Sequence, residues 1–229
     1  MESIHIQSFV AAPPDRIWAA LSTRQDVLLH GLPGGAWPEA NEPLCASGPP
    51  FRLEVAWPHT PAPTRVSLTL HELDGGTRLD LVHQGWGEGA EWEGPLQGHF
   101  AGWLFGLAAF GLWVETGKDA RPLDPALRAR ERYFASGEVP ATPSAVYRAL
   151  TDAGVLERWA DGALSGAEPL DEVEDAFRRW RLPAGGELVV VLRHTPRGTH
   201  CALAEYGVTD RGASARWPAM FERLARFLA

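Results

Sequence analysis

Lysine is nearly missing from this sequence. Lys118 is the single lysine among 21 basic residues, and arginine supplies the rest. That bias points to nucleotide composition first and to heat adaptation second. Cysteine is scarce too. Cys45 and Cys201 are the only two, far apart and outside any CxxC pair, which excludes a disulfide framework or a cysteine-based zinc site. Reduced thiols in the cytoplasm are the expectation. Excess positive charge is absent: the net charge is −8. Residues 1–118 hold 6 basic and 13 acidic residues, whereas residues 119–229 hold 15 and 16. Neither half carries the electrostatic footprint of a nucleic-acid binder, and an anionic membrane surface is not an expected partner. The longest apolar run, Ala108 to Val114, falls far short of a membrane span. The opening Met-Glu-Ser-Ile-His-Ile has neither a basic n-region nor an apolar h-region, so no secretory signal is expected.

What is present is an internal repeat. Residues 10–22 read VAAPPDRIWAALS and residues 139–151 read VPATPSAVYRALT. Val10, Ala12, Pro14, Ile17, Trp18, Ala20, Leu21 and Ser22 align with Val139, Ala141, Pro143, Val146, Tyr147, Ala149, Leu150 and Thr151. Further along, Trp57 aligns with Trp180, Gly76-Thr77 with Gly198-Thr199, and Trp103 with Trp217. The offset falls steadily, as loop shortening in a second copy would produce. Residues 1–118 are therefore expected as one domain and residues 133–229 as a second, shorter one. The polar stretch 119–132, with Pro122 and Pro125, suits a linker.

Each copy reads as strand, short helix, loop, antiparallel strands and long C-terminal helix. Ile4, Ile6 and Val10 alternate with His5 and Gln7, the period of a half-buried strand. Pro14 opens a helix whose stripe is Ile17, Trp18 and Leu21. Residues 31–50, rich in Gly and Pro, read as a long loop. Strands are expected at 51–57, 64–73 and 77–83, with Asp74-Gly75-Gly76 as a hairpin signal. From Trp92 to Thr116 apolar residues recur every three or four positions, as on a buried helix. The class is α+β, with helices on antiparallel sheets.

These residues resemble a known family. The pattern is a first strand, then Ala12, Ile17, Trp18, Ala20, Leu21 and Ser22, then Gly76-Thr77 opening a late strand, then Trp103 leading the last helix. The second copy offers Ala141, Val146, Tyr147, Ala149, Leu150, Thr151, Gly198, Thr199 and Trp217. This looks like the family of homologues of the activator of heat-shock-protein-90 ATPase, within the START/Bet v 1-like (SRPBCC, polyketide cyclase/dehydrase-like) superfamily. The resemblance implies tandem helix-grip domains, each a curved antiparallel sheet around a long C-terminal helix with an apolar cavity between. Each copy departs from the family pattern. Leu156-x-x-Trp159 is intact in the second copy, where the first has His30. His83-x-Gly85-Trp86 is present in the first, where the second has Glu205.

The chemistry-bearing candidates are few. No HxH, HExxH or Cys/His spacing appears, so no metal and no cofactor is expected. No GxSxG is present, and no catalytic residue is assigned. His83 is the best polar candidate, to orient a ligand or act as acid or base; the alternative is a strand-end histidine bonded to backbone. Ten tryptophans, seven of them before residue 119, suit either an aromatic-walled pocket or a core. The expected ligand-binding set is Trp37, Trp57, His71, His83, Trp86, Phe100, Trp103 and Leu107. The leading reading is a non-enzymatic cytoplasmic protein that holds an apolar or aromatic small molecule between sheet and C-terminal helix of the first domain. The alternatives are a cyclase, aromatase or hydrolase of the same fold, and a chaperone-linked module whose acidic first domain meets a protein partner.

Overall fold

The structure, a computed structural model, describes residues 3–30, 51–58, 60–122, 124–207 and 212–229. Trp37, Cys45 and the 31–50 loop expectation lie outside them. The chain forms two compact units, Met1–Gly117 and Lys118–Ala229, and both are mixed α+β.

In the first unit, β1 (Ile4–Val10) leads through Pro13-Pro14 into α1 (Pro14–Thr23) and the short α2 (Gln25–Leu29). The strands β2 (Arg52–Trp57), β3 (Thr64–Leu73) and β4 (Gly76–Gln84) follow, then the 27-residue α3 (Ala90–Thr116). The sheet is antiparallel, in the order β1-β4-β3-β2. Alternation decides its faces. Leu53, Val55 and Trp57 on β2, Val66, Leu68 and Leu70 on β3, and Leu79, Leu81 and His83 on β4 are all buried. The helix α3 runs against β1 and α2. Gly106 permits the closest approach: a Cβ there would stand 2.1 Å from the backbone oxygen of Leu28. The turn after β1 is tied to the end of α3, because the Ala11 N–H donates to Glu115 Oε1 and Arg16 Nη2 donates to the Val114 carbonyl.

The second unit contains α4 (Pro125–Arg128), β5 (Arg132–Val139), α5 (Pro143–Thr151), α6 (Ala153–Trp159), β6 (Glu168–Val173), β7 (Phe177–Arg181), β8 (Glu187–Thr195), β9 (Gly198–Tyr206) and α7 (Ala213–Leu228). Its antiparallel sheet has the order β5-β9-β8-β7-β6. The core gathers Leu188, Val190, Leu192 and Leu203 from the sheet with Trp217, Met220, Phe221 and Leu224 from α7. The stretch 119–132, expected as a linker, belongs to this unit. Ala120 and Leu127 are buried, and the Asp119 and Arg121 carbonyls accept hydrogen bonds from Arg179.

Two local devices recur. Thr77 Oγ1 donates to the Ala12 carbonyl at 2.7 Å, and Thr199 Oγ1 donates to the Ala141 carbonyl at 2.6 Å. Beside them, a Cβ on Gly76 would meet the Val10 oxygen at 2.3 Å, and one on Gly198 would meet the Val139 oxygen at 2.2 Å. Only glycine fits where the last strand of each unit meets the end of the first.

Candidate functional site

Four of the expected residues meet at one end of the first unit. Trp57 ends β2, His83 sits on the inner face of β4, and Trp103 occupies the middle of α3. Trp86, two residues past the end of β4, and His99, one turn before Trp103, complete the group. All five are at most 3% exposed. His83 lies 4.5 Å from Trp86 and 5.4 Å from His99, ring centre to ring centre. Trp57 and Trp103 are 5.6 Å apart.

Hydrogen bonds fix the proton on each imidazole. Trp103 Nε1–H donates to His83 Nδ1 at 3.1 Å. The other nitrogen, Nε2, therefore carries the hydrogen and donates to Thr64 Oγ1 at 2.6 Å. Thr64 passes its own hydroxyl hydrogen to the Trp57 carbonyl at 3.4 Å. Trp57 Nε1–H donates to His99 Nε2 at 3.0 Å, so His99 Nδ1–H donates to the Pro95 carbonyl at 2.8 Å. Trp86 Nε1–H reaches the His83 carbonyl at 3.0 Å. Every polar atom named here is satisfied within the cluster, as buried polar groups require. Burial, and secondarily the nearby His99, lowers the His83 pKa to about 3. His83 is neutral at physiological pH, with its lone pair and its proton both engaged. Acid–base work would have to break the network first.

Indole and imidazole rings from β2, β4 and α3 thus pack on one another at this end of the first unit. His71 is not part of the group. It stands on the opposite face of β3, where its Nε2 pairs with Asp80 Oδ2 at 3.0 Å; Arg78 holds the same carboxylate. Phe100 points outward, 45% exposed, while Leu107 is buried further along α3. His99, central to the network, was outside the expected set. Its signal is its spacing of four residues before Trp103, on the same helical stripe.

An open cleft lies elsewhere in the first unit. Pro13, Pro14 and Asp15 at the head of α1 form one side, Phe51 another, and Leu70, His71 and Glu72 of β3 the third. Its volume is about 610 Å³, within the range of small-molecule pockets. Trp18 stacks on Phe51 at 5.4 Å beside it. The walls are mainly apolar, with one imidazole and two carboxylates.

No family model and no curated protein matches the chain. Solved structures do. The crystal structure of DynU16, a protein of the dynemicin biosynthetic locus, is 16% identical, covering all of this chain and 96% of that one, with a TM-score of 0.44. The Aha1 dimer from Colwellia psychrerythraea is 16% identical over 43% of this chain and 96% of its own, with a TM-score of 0.37. Protein MLL2253 from Mesorhizobium loti is 21% identical over 43% and 96%, with a TM-score of 0.35.

In the second unit the tryptophan of the last helix donates to a carboxylate. Trp217 Nε1–H donates to Glu205, which also accepts from Arg216 at 3.0 and 3.1 Å. A buried arginine was not foreseen. Arg179 Nη2 donates to the Asp119 and Arg121 carbonyls at 2.8 and 2.6 Å, and Asp171 and Glu187 each stand 3.6 Å from other guanidinium nitrogens. Burial would raise the Asp119 pKa, but hydrogen bonds from Arg121 hold it below the usual value. Burial raises that of Glu187, against the pull of Arg179. Cys201 is buried, which pushes its thiol pKa up and makes it inert. Among the described residues, no group of His, Cys, Asp or Glu is arranged to hold a metal ion, and no helix is long and apolar enough to cross a membrane.

Proposed function

We propose that this chain is a non-catalytic cytoplasmic protein that binds a small apolar or aromatic molecule in the cleft of its first unit. The cleft carries the reading: about 610 Å³ walled by Pro13, Pro14, Phe51 and Leu70, with His71 at its edge. Apolar walls with a few polar groups are what small-molecule sites have in common. Burial of ligand surface supplies the affinity, at about 25 cal/mol per Å² before the costs of association. The locked state of His83 favours binding over catalysis.

The two units are copies of one helix-grip plan in this reading. The paired Thr77–Ala12 and Thr199–Ala141 bonds and the paired glycine approaches support that. So does the shared use of the last helix's tryptophan as donor to the last strand. The first unit is the binding copy and the second a structural one.

Calorimetric titration with 2-naphthol and lauric acid tests the reading. Saturable binding to the wild type is expected, weakened about fivefold to tenfold by Phe51→Ala, which removes one cleft wall. Absence of binding to either probe, or equal affinity in the variant, contradicts it.

A further inference from the structure

The N-terminal turns of α3 stand out from the first unit. Ala90, Glu91, Glu93, Gly94, Gln97, Gly98 and Phe100 are exposed. Side chains built on Gly94 or Gly98 would meet nothing within 4 Å. From Gly102 onward the helix is largely buried. The arm is also poor helix sequence, since Gly94, Pro95 and Gly98 are the residue types least suited to a helix interior. What anchors it below is His99 in the ring network and Trp92, whose ring meets Trp86 at 6.0 Å and occupies the space over Gly87.

The arm carries an apolar stripe. Trp92, Leu96 and Phe100 follow at four-residue spacing and so share one face. Trp92 and Leu96 are half-buried, and Phe100 is one of three large apolar side chains exposed among the described residues. Charge beside the stripe is of one sign. Glu88, Glu91 and Glu93 are exposed, and no lysine or arginine occurs between Arg78 and Lys118. Glu91 and Glu93 suit the first turn of a helix, but that placement leaves the exposed stripe unexplained.

We infer that this arm docks a basic amphipathic segment of a partner protein. The partner's apolar residues cover Trp92, Leu96 and Phe100, and its lysines or arginines face Glu88, Glu91 and Glu93. An amphipathic helix laid on an apolar stripe is a common recognition mode, and charge complementarity sets orientation and association rate. Docking would also order a segment whose own helix propensity is low.

The test uses the whole chain and two synthetic 18-residue helical peptides, one of leucine and lysine, the other of leucine and glutamate. Fluorescence anisotropy should show the lysine peptide binding at least about tenfold tighter. Phe100→Asp, at an exposed position and checked for folding by circular dichroism, should weaken that binding about tenfold. Glu91→Gln with Glu93→Gln should weaken it about fivefold and flatten its salt dependence. Hydrogen exchange should slow in residues 90–101 of the complex. Equal binding of both peptides, no binding of either, or indifference to Phe100→Asp overturns the inference. So does concentration-dependent self-association of the free chain abolished by Phe100→Asp, since the stripe would then serve a second copy.

Discussion

The indole of Trp103 donates to Nδ1 of His83 at 3.1 Å, and that bond sets the imidazole as its Nε2–H tautomer. The same proton then satisfies Thr64. Trp103→Phe preserves most of the aromatic bulk but leaves Nδ1 buried and unpaired. Such an orphan costs about 1–3 kcal/mol. Urea unfolding should show that loss in the first unit, and a variant as stable as the wild type would mean the bond is worth nothing net.

His83 also makes the first unit sensitive to acid. Its pKa is about 3 in the folded chain against 6.5 for a free histidine. The unfolded chain therefore binds the proton first. Stability is fully present above about pH 6.5 and falls as pH drops toward 3. By pH 5 the loss from this residue is about 2 kcal/mol. Melting temperatures at pH 7 and pH 5 should differ less in His83→Gln, whose amide accepts and donates like the neutral ring. An identical pH dependence in both proteins would remove His83 as the cause.

Two glycines of one helix should respond with opposite sign. Gly98→Ala adds a methyl in open space and exchanges a poor helix former for the best, a gain of up to about 1 kcal/mol. Gly106→Ala drives a methyl into the Leu28 carbonyl, and overpacking of that kind costs about 1–3 kcal/mol. Thermal melts of the two variants read the difference directly. A stabilised Gly106→Ala would show that α2 moves away freely.

Arg179→Met should destabilise the second unit by about 3–5 kcal/mol, because Glu187 and two backbone carbonyls lose their buried partner. Adding Glu187→Met should restore much of that loss, since removing both charges avoids an unpaired one. Urea titrations of the single and double variants check this. Additive losses would mean the two residues do not interact.

Much of the fold was legible because it rests on local periods. Alternation marked β1, β3 and β4, and three-to-four spacing marked α3 almost to its ends. The same alternation that puts Val66, Leu68 and Leu70 on the inner face puts His71 on the outer one, apart from His83. The ring network was only half legible. His83 and Trp103 stood out, but their bond joins residues twenty apart across strand and helix, and nothing local announces it. Arg179 was not legible at all. FRRWR reads as a charged strand, and its carbonyl partners lie about sixty residues earlier, in a stretch whose prolines and charges look like a linker. The polar run 168–175 likewise hid β6, because its acidic residues face arginines and a lysine rather than water alone.

The most direct test of where a ligand goes is a ¹⁵N–¹H correlation spectrum of the whole chain titrated with 2-naphthol. Binding in the cleft predicts shifts at the amides of Asp15, Phe51 and His71 and at the indole of Trp18, which stacks on Phe51. The indoles of Trp57, Trp86 and Trp103 should stay in place, held by their hydrogen bonds. Shifts confined to those three indoles, with the cleft silent, would put the ligand among the rings and contradict the account.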